Sequence, residues 1–249
     1  MISEQTGTTA LITGGTSGIG RTTAKALAEL GIHVIVAGRN IERGEQTVND
    51  IRAVGGRVDF VASDLKDEAS ARTLAKKAIE LGGGHIDILI NNAAIGAIGP
   101  THETTESDFD NVFGVNVKVP YFLVAELAPL MAERGKGAIV NITTMVAELG
   151  TSVLGLYGSS KAALSLLTKS WAAEYGPSGV RVNAVSPGPT RTEGTVQMGG
   201  MLDQLAAQAP AGRPATPDEI SAAIIFLATD SSSFIHGAIL PVDGGRTAV

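Results

Sequence analysis

The chain has 249 residues, 44% of them hydrophobic and 18% charged, with a formal net charge of -6. That length can bury a large core, and α/β chains of this size are often one domain. The mild acidity and the lack of any Lys/Arg-rich run exclude a nucleic-acid or anionic-lipid partner bound through a basic patch, and the lack of cysteine excludes disulfides, thiolate metal sites and a cysteine nucleophile.

The start, MISEQTGTTA, is polar and carries no basic-then-apolar signal segment. No uninterrupted apolar stretch is long enough to span a bilayer, so a soluble cytoplasmic protein is expected, with no membrane partner. TTALIT (8–13) reads as a first strand, followed by a glycine turn and a helix to about Leu30. HVIVAG (33–38) is a second strand, and its helix ends near Gly55 and Gly56. RVDFVASD (57–64) is a third, followed by a helix over about 67–81. IDILINNAA (86–94) is a fourth, and a long helix covers 107–134. GAIVNITT (137–144) is a fifth, followed by the helix that carries Tyr157. VRVNAVSPG (180–188) is a sixth. After a less regular stretch, TPDEISAAIIFLAT (216–229) is a helix with Thr216 as its cap and Pro217 at its first position. AILPVDGG (238–245) is a last short strand.

Strands that read as nearly continuous apolar runs are buried on both faces, as in a parallel sheet. Regular β–helix–β alternation points the same way. The expected fold is a doubly wound α/β sheet of seven strands, a Rossmann fold in a single domain over 1–249, with ligands at the carboxyl ends of the strands.

TGGTSGIG (13–20) joins the first strand to its helix. Gly14, Gly18 and Gly20 permit a tight turn and close approach of backbone to a ligand. The helix N-terminus offers free N–H groups and a partial positive charge, which suit a pyrophosphate. The end of the second strand selects the dinucleotide. A carboxylate there accepts hydrogen bonds from the ribose, but the residues are Gly38, Arg39 and Asn40. Arg39 can pair with a 2′-phosphate through a charge-assisted fork. NADP(H) is therefore favoured over NAD(H), which stays open. Arg21, beside the glycine turn, suits either a phosphate contact or a solvent-facing position.

TGGTSGIG, NNAA (91–94), Asn116, Thr144, YGSSK (157–161) and SPGPTRT (186–192) occur in this order. The set resembles the short-chain dehydrogenase/reductase family, in particular its 3-oxoacyl-ACP reductase-like members. The likeness extends through VDGG at 242–245. It implies a homodimer or homotetramer and NAD(P)-dependent interconversion of a small-molecule carbonyl and an alcohol. It also implies cofactor contacts at Gly14, Thr16, Ser17, Gly18, Ile19 and Gly20. Asp64 and Leu65 fall at the adenine, Asn92 and Ala93 at the ribose. Thr192 falls at the nicotinamide carboxamide, with Pro187, Gly188 and Thr190 in the same loop. Two positions depart from the family pattern: Ala94 stands where NNAG has glycine, and Thr144 stands where the family has serine.

Tyr157 and Lys161 are four apart and share a helix face. A phenol's ordinary pKa of about 10 is high for acid–base work near neutrality, and a neighbouring ammonium is expected to lower it. Gly158, Ser159 and Ser160 are expected to leave room for the cofactor. The resemblance gives Tyr157 the acid–base role, Thr144 a hydrogen bond to the substrate oxygen, and Lys161 the nicotinamide ribose, with Asn116 positioning a water that leads to Lys161. Taken singly, each of the four also suits a structural role. The segment 191–213 lies where the family has a substrate lid, with Gly194, Gly199 and Gly200 as hinges and Met198, Met201 and Leu202 as apolar cover. His33, His85, His102 and His236 show no metal-ligand spacing. A cofactor-binding sensor without catalysis, or a dehydratase or epimerase on the same fold, remains an alternative.

Overall fold

The apolar runs rich in Val, Ile and Ala become parallel strands because both of their faces are covered. The computed structural model describes residues 7–249. Its strands are β1 (Thr9–Thr13), β2 (His33–Gly38), β3 (Val58–Ala62), β4 (Ile88–Asn91), β5 (Gly137–Ile142), β6 (Val180–Pro187) and β7 (Ile239–Val242). They form one 7-stranded sheet in the order β3-β2-β1-β4-β5-β6-β7, and every pairing is parallel. The start MISEQT, read above as lacking a signal segment, lies outside the described residues.

Alternate strand residues feed two cores. Leu11, Ile35, Leu89, Ile139 and Val182 pack beneath α3 (Glu68–Leu81), α5 (Val119–Glu133) and α6 (Gly155–Tyr175). Ala10, Ile12, Val34, Ile90 and Val140 pack beneath α1 (Gly18–Glu29), α2 (Ile41–Ala53) and α8 (Pro217–Ala228). Each buried Leu, Ile or Val contributes roughly 1.5–3 kcal/mol, so the sheet is the rigid platform for whatever its edges carry. Thr216 caps α8 as expected: it accepts from the Glu219 amide, and Pro217 sits where a missing N–H costs nothing.

The helix expected over 107–134 is broken. α4 (Glu106–Phe113) and α5 are joined by a π turn at Gly114–Lys118 that contains Asn116. Pro120 supplies the reason: it has no N–H to return to the carbonyl four residues back, which is that of Asn116. Taken together, Glu106–Glu133 is long and apolar enough to cross a membrane by length and composition, with a mean hydropathy of 1.3. Lys118 and Glu126 interrupt it, so it is not an uninterrupted apolar stretch of the kind whose absence was expected. Packing explains the apolarity: Val119, Leu123, Leu127 and Met131 are all buried in the core.

The chain winds from β1 through β2 to β3 on one side, then resumes at β4 on the other side of β1. A crevice therefore opens at the carboxyl ends of β1 and β4. Between β6 and α8 the backbone is mostly turns, with one short helix, α7 (Gly200–Ala206).

Candidate active site

β1 ends at Thr13. Its hydroxyl accepts from the amides of Asn92 and Ala93, each at 3.0 Å. The Asn92 side chain answers by donating to the carbonyls of Thr13 (2.9 Å) and Gly14 (3.0 Å). The ends of β1 and β4 are thus tied together beneath the glycine turn. Thr13 was not among the site residues expected from the sequence, because a strand-end threonine carries no signal of its own. Gly14 has φ +64, a left-handed conformation, and a Cβ on Gly20 would lie 2.3 Å from the Gly14 carbonyl oxygen. α1 begins here with no side-chain cap from Ser17 and no acid in its first turn. The Gly18 N–H donates instead to Oε2 of Glu193, at 2.9 Å.

A cleft of about 360 Å³ opens over this turn. Gly14, Thr16, Ser17, Gly18 and Ile19 line one side, and Asn92, Ala93, Ala94 and Ile95 the other, with Leu65 and Thr192 between. Its far end holds Arg39, Arg43 and Ser63. Neither Arg39 nor Arg43 has a partner for its guanidinium among the described residues. Arg43 went unnoticed in the sequence, although its place in the first turn of α2, four residues after Arg39, was the available signal. Arg21 faces elsewhere and pairs with Asp50 of α2 at 2.5 Å.

Of the expected cofactor positions, Gly20, Tyr157 and Lys161 are not in the lining of this cleft, and four more stand apart from it. Asp64 is exposed and does not line it, whereas Leu65 does. Pro187, Gly188 and Thr190 also lie outside its lining. Pro187 is a buried strand residue of β6, and Thr190 turns its hydroxyl back to the Gly188 carbonyl at 2.9 Å.

Tyr157 and Lys161 lie one turn apart on α6. Lys161 is 2% exposed, and its ammonium donates to the carbonyl of Ile142 at 2.7 Å. Burial lowers its pKa from 10.5 to about 8. Burial also pushes the Tyr157 phenol above its ordinary value, and its hydrogen bond with the Thr144 side chain pulls it part of the way back. The expected lowering of the phenol by Lys161 is therefore not what the chain's own groups produce. Desolvation dominates, and the ammonium is directed at the backbone.

Asn116 is fully engaged through its side chain. It donates to the Ile95 carbonyl (2.9 Å) and to Ser160 Oγ (3.0 Å), and accepts from the Ile95 amide (2.9 Å). Ser160 in turn donates to the Tyr157 carbonyl at 2.7 Å. A Cβ on Gly158 would lie 2.7 Å from the Val146 carbonyl oxygen. Gly158 and Ser160 are buried in the packing of α6, and Ser159 is exposed. Ala94 is exposed as well, so its methyl crowds nothing in the core.

Residues 14–247 match the family model described as enoyl-(acyl carrier protein) reductase, a short-chain dehydrogenase type. A solved structure of a short chain dehydrogenase/reductase family protein is 47% identical, with a TM-score of 0.92, covering 99% of this chain and 100% of that one. The gluconate 5-dehydrogenase of Gluconobacter oxydans is 37% identical over 244 residues, covering 97% of this chain and 95% of that one. A structure from Beutenbergia cavernae, described as an NAD(P)-dependent gluconate 5-dehydrogenase with bound NADP at low occupancy, is 35% identical with a TM-score of 0.92, covering 99% of each chain. The chain belongs to the short-chain dehydrogenase/reductase family of oxidoreductases.

Proposed function

We propose that this protein is an NADP(H)-dependent oxidoreductase that interconverts a carbonyl and a secondary alcohol, with Tyr157 as the acid–base group. The observation that carries the reading is the placement of Tyr157 and Lys161 one turn apart on α6, with Thr144 on the phenol.

The residues of the cleft fit a dinucleotide phosphate. The glycine turn packs so closely on Asn92 and Ala93 that neither Gly14 nor Gly20 has room for a Cβ, and α1 brings no cap of its own to its N-terminus. Thr16, Ser17 and Ile19 line the cradle, and Leu65, Asn92, Ala93 and Thr192 flank it. Arg39 and Arg43 suit a 2′-phosphate at the far end. When bound, the nicotinamide supplies or accepts the hydride.

In reduction, Tyr157 gives its phenolic proton to the carbonyl oxygen; in oxidation it takes the proton back. A raised pKa keeps the phenol protonated at neutral pH, which suits the acid role. Thr144 holds the same oxygen by a hydrogen bond as charge develops there. Lys161 is a cation below about pH 8 and suits the hydroxyls of a nicotinamide ribose. Asn116 fixes Ile95 against Ser160, and its carbonyl, released from the α-helical pattern by Pro120, accepts from a water that leads toward Lys161. The segment 191–213 covers the substrate. The exposed Phe109, Tyr121 and Leu166 on α4, α5 and α6 are the faces of a homodimer or homotetramer.

The test is a carbonyl panel run with NADPH and NADH, following loss of the reduced nicotinamide absorbance. It includes 3-oxoacyl thioesters, cyclic ketones and 5-ketogluconate, the last because of the likeness to gluconate 5-dehydrogenases. Turnover that prefers NADPH supports the reading. NADPH binding with no turnover on any carbonyl overturns it in favour of a cofactor-binding sensor.

A further inference from the structure

β4, β5 and β6 are neighbours in the sheet, so the loops that leave their carboxyl ends, 92–105, 143–154 and 188–216, stand side by side. The first and third face each other across the cleft, because Ala94 and Ile95 line it together with Thr192 and Gly194. The first and second are tied where the Gly99 N–H donates to the Val153 carbonyl at 2.9 Å. The second begins at the strand end that holds Thr144 and delivers the chain to Tyr157, in the first turn of α6.

Each loop presents aliphatic side chains to the outside. Ile98 is 70% exposed, Val153 44%, Val196 71% and Met201 59%. Val153 is the most telling. With φ +62 it is the one non-glycine residue with a positive φ among the described residues. A β-branched residue is strained there, where glycine sits freely. Its side chain is not buried, so packing within the chain does not offset the strain. The contact that makes a valine useful at this position comes from outside the chain.

Charge narrows what that contact is. The three loops hold no unpaired lysine or arginine among the described residues. Arg191 pairs with Asp203 at 2.7 Å, and Arg213 pairs with Glu219 at 2.6 Å. Arg246, beyond β7, is turned to Gln208, and Lys161 to the Ile142 carbonyl. Glu148 is exposed on the second loop and lines a cavity with Gly188 and Pro189. A carboxylate, sulfonate or phosphate on the substrate would meet this acid and find no cation to receive it. An apolar body would meet the aliphatic rim.

We propose that the substrate is an uncharged ketone or secondary alcohol with an apolar body, and that Val153 is a specificity-determining residue that contacts it. The proposal rests on the oxidoreductase reading of Tyr157 and names the substrate class of that same site.

The test compares two ketones on one ring, 4-methylcyclohexanone and 4-oxocyclohexanecarboxylate, with NADPH and with NADH, in the full chain and in Val153→Gly. The wild type is expected to favour the methyl ketone by about tenfold or more in kcat/KM. Val153→Gly is expected to raise KM for it about threefold or more while kcat stays within about twofold. The same variant is expected to raise Tm by about 2–4 °C, because glycine carries no strain at this φ. Equal or better use of the acid overturns the substrate class, and so does turnover confined to carbonyls that carry a carboxylate or phosphate. An unmoved KM, a loss confined to kcat, or a fall in Tm in Val153→Gly overturns the role of Val153. In each of these cases the oxidoreductase reading stands, whereas no turnover of any carbonyl with either nucleotide overturns that reading and the proposal with it.

Discussion

Lys161 donates to the carbonyl of Ile142 at the end of β5, and no carboxylate stands within ion-pair distance of it among the described residues. A nearly fully buried ammonium with one neutral partner is a costly arrangement. Burial favours the uncharged amine, which is why the pKa falls to about 8. The fold tolerates this cost at a position where a cation serves the proposed chemistry, the usual form of a trade between stability and activity.

Replacing Lys161 by methionine is therefore expected to stabilise the protein at pH 7 while abolishing turnover. The folded pKa lies below the unfolded one, so the cost is fully present below about pH 8. Between about pH 8 and 10.5 the unfolded chain keeps a proton that the folded chain has shed, and stability rises with pH. Above that window the cost is gone. The shift corresponds to about 3 kcal/mol, reduced in the variant because Ile142 loses its donor. Urea denaturation of both proteins at pH 7 and pH 10 reads the difference. A Lys161→Met protein clearly less stable than wild type at pH 7 would show that the Ile142 bond outweighs the buried charge.

Tyr157→Phe is expected to cut turnover by about a thousandfold or more, within the usual range for a general acid, while NADPH affinity stays within about twofold. Thr144→Val separates the second role. Burial raises the phenol's pKa and the Thr144 hydrogen bond lowers it, so removing the hydroxyl raises it further. Alcohol oxidation needs the phenolate and climbs with pH. In Thr144→Val that climb moves to higher pH, and in Thr144→Ser it stays near the wild-type position. An oxidation profile that does not move in Thr144→Val removes Thr144 from the acid–base pair.

The seven strands, their parallel sense and the glycine turn were legible because their signals are local. Apolar runs of strand length alternate with helical spacing, and glycines fall directly after the first run. That Tyr157 and Lys161 lie one turn apart on a single helix was legible from a four-residue spacing. What the sequence hid depends on contacts between distant segments. Nothing in TGGTSGIG announces that Asn92 clamps Gly14 or that Glu193 reaches Gly18. The direction of the Tyr157 shift was missed for the same reason: the Lys161 charge is visible in the sequence, but neither the burial of the phenol nor the turn of the ammonium toward the Ile142 carbonyl is. The π turn at Asn116 could have been read from Pro120, four residues on, had the missing N–H been followed back to its partner.

Arg39 follows β2 and Arg43 lies in the first turn of α2. Each guanidinium lines the cleft, and neither is held by an acid in the chain. Arg39→Ala is expected to weaken NADPH about 10- to 100-fold, in line with one or two charge-assisted hydrogen bonds, with NADH changed by less than about threefold. Arg43→Ala acts in the same direction, and the double variant loses the preference. Isothermal titration with both nucleotides measures it. Equal losses for NADPH and NADH would place the arginines on a part of the cofactor that both share.

Gly20 is the position at which the turn cannot accept a side chain. A Cβ there meets the Gly14 carbonyl oxygen at 2.3 Å and the Asn92 side chain at 2.5 Å. The first is backbone, and the second is held by its bonds to Thr13 and Gly14, so neither can yield without opening the junction of β1 and β4. Gly20→Ala is therefore expected to cost about 1–3 kcal/mol, a fall in Tm of several degrees, and to lose NADPH binding with it. Gly96→Ala is the control, because a Cβ there meets nothing within 4 Å, and its Tm and NADPH affinity should match wild type. Thermal unfolding with and without NADPH tests both. If Gly20→Ala keeps its cofactor-induced rise in Tm, the close packing of α1 on Gly14 and Asn92 is not what shapes the phosphate cradle.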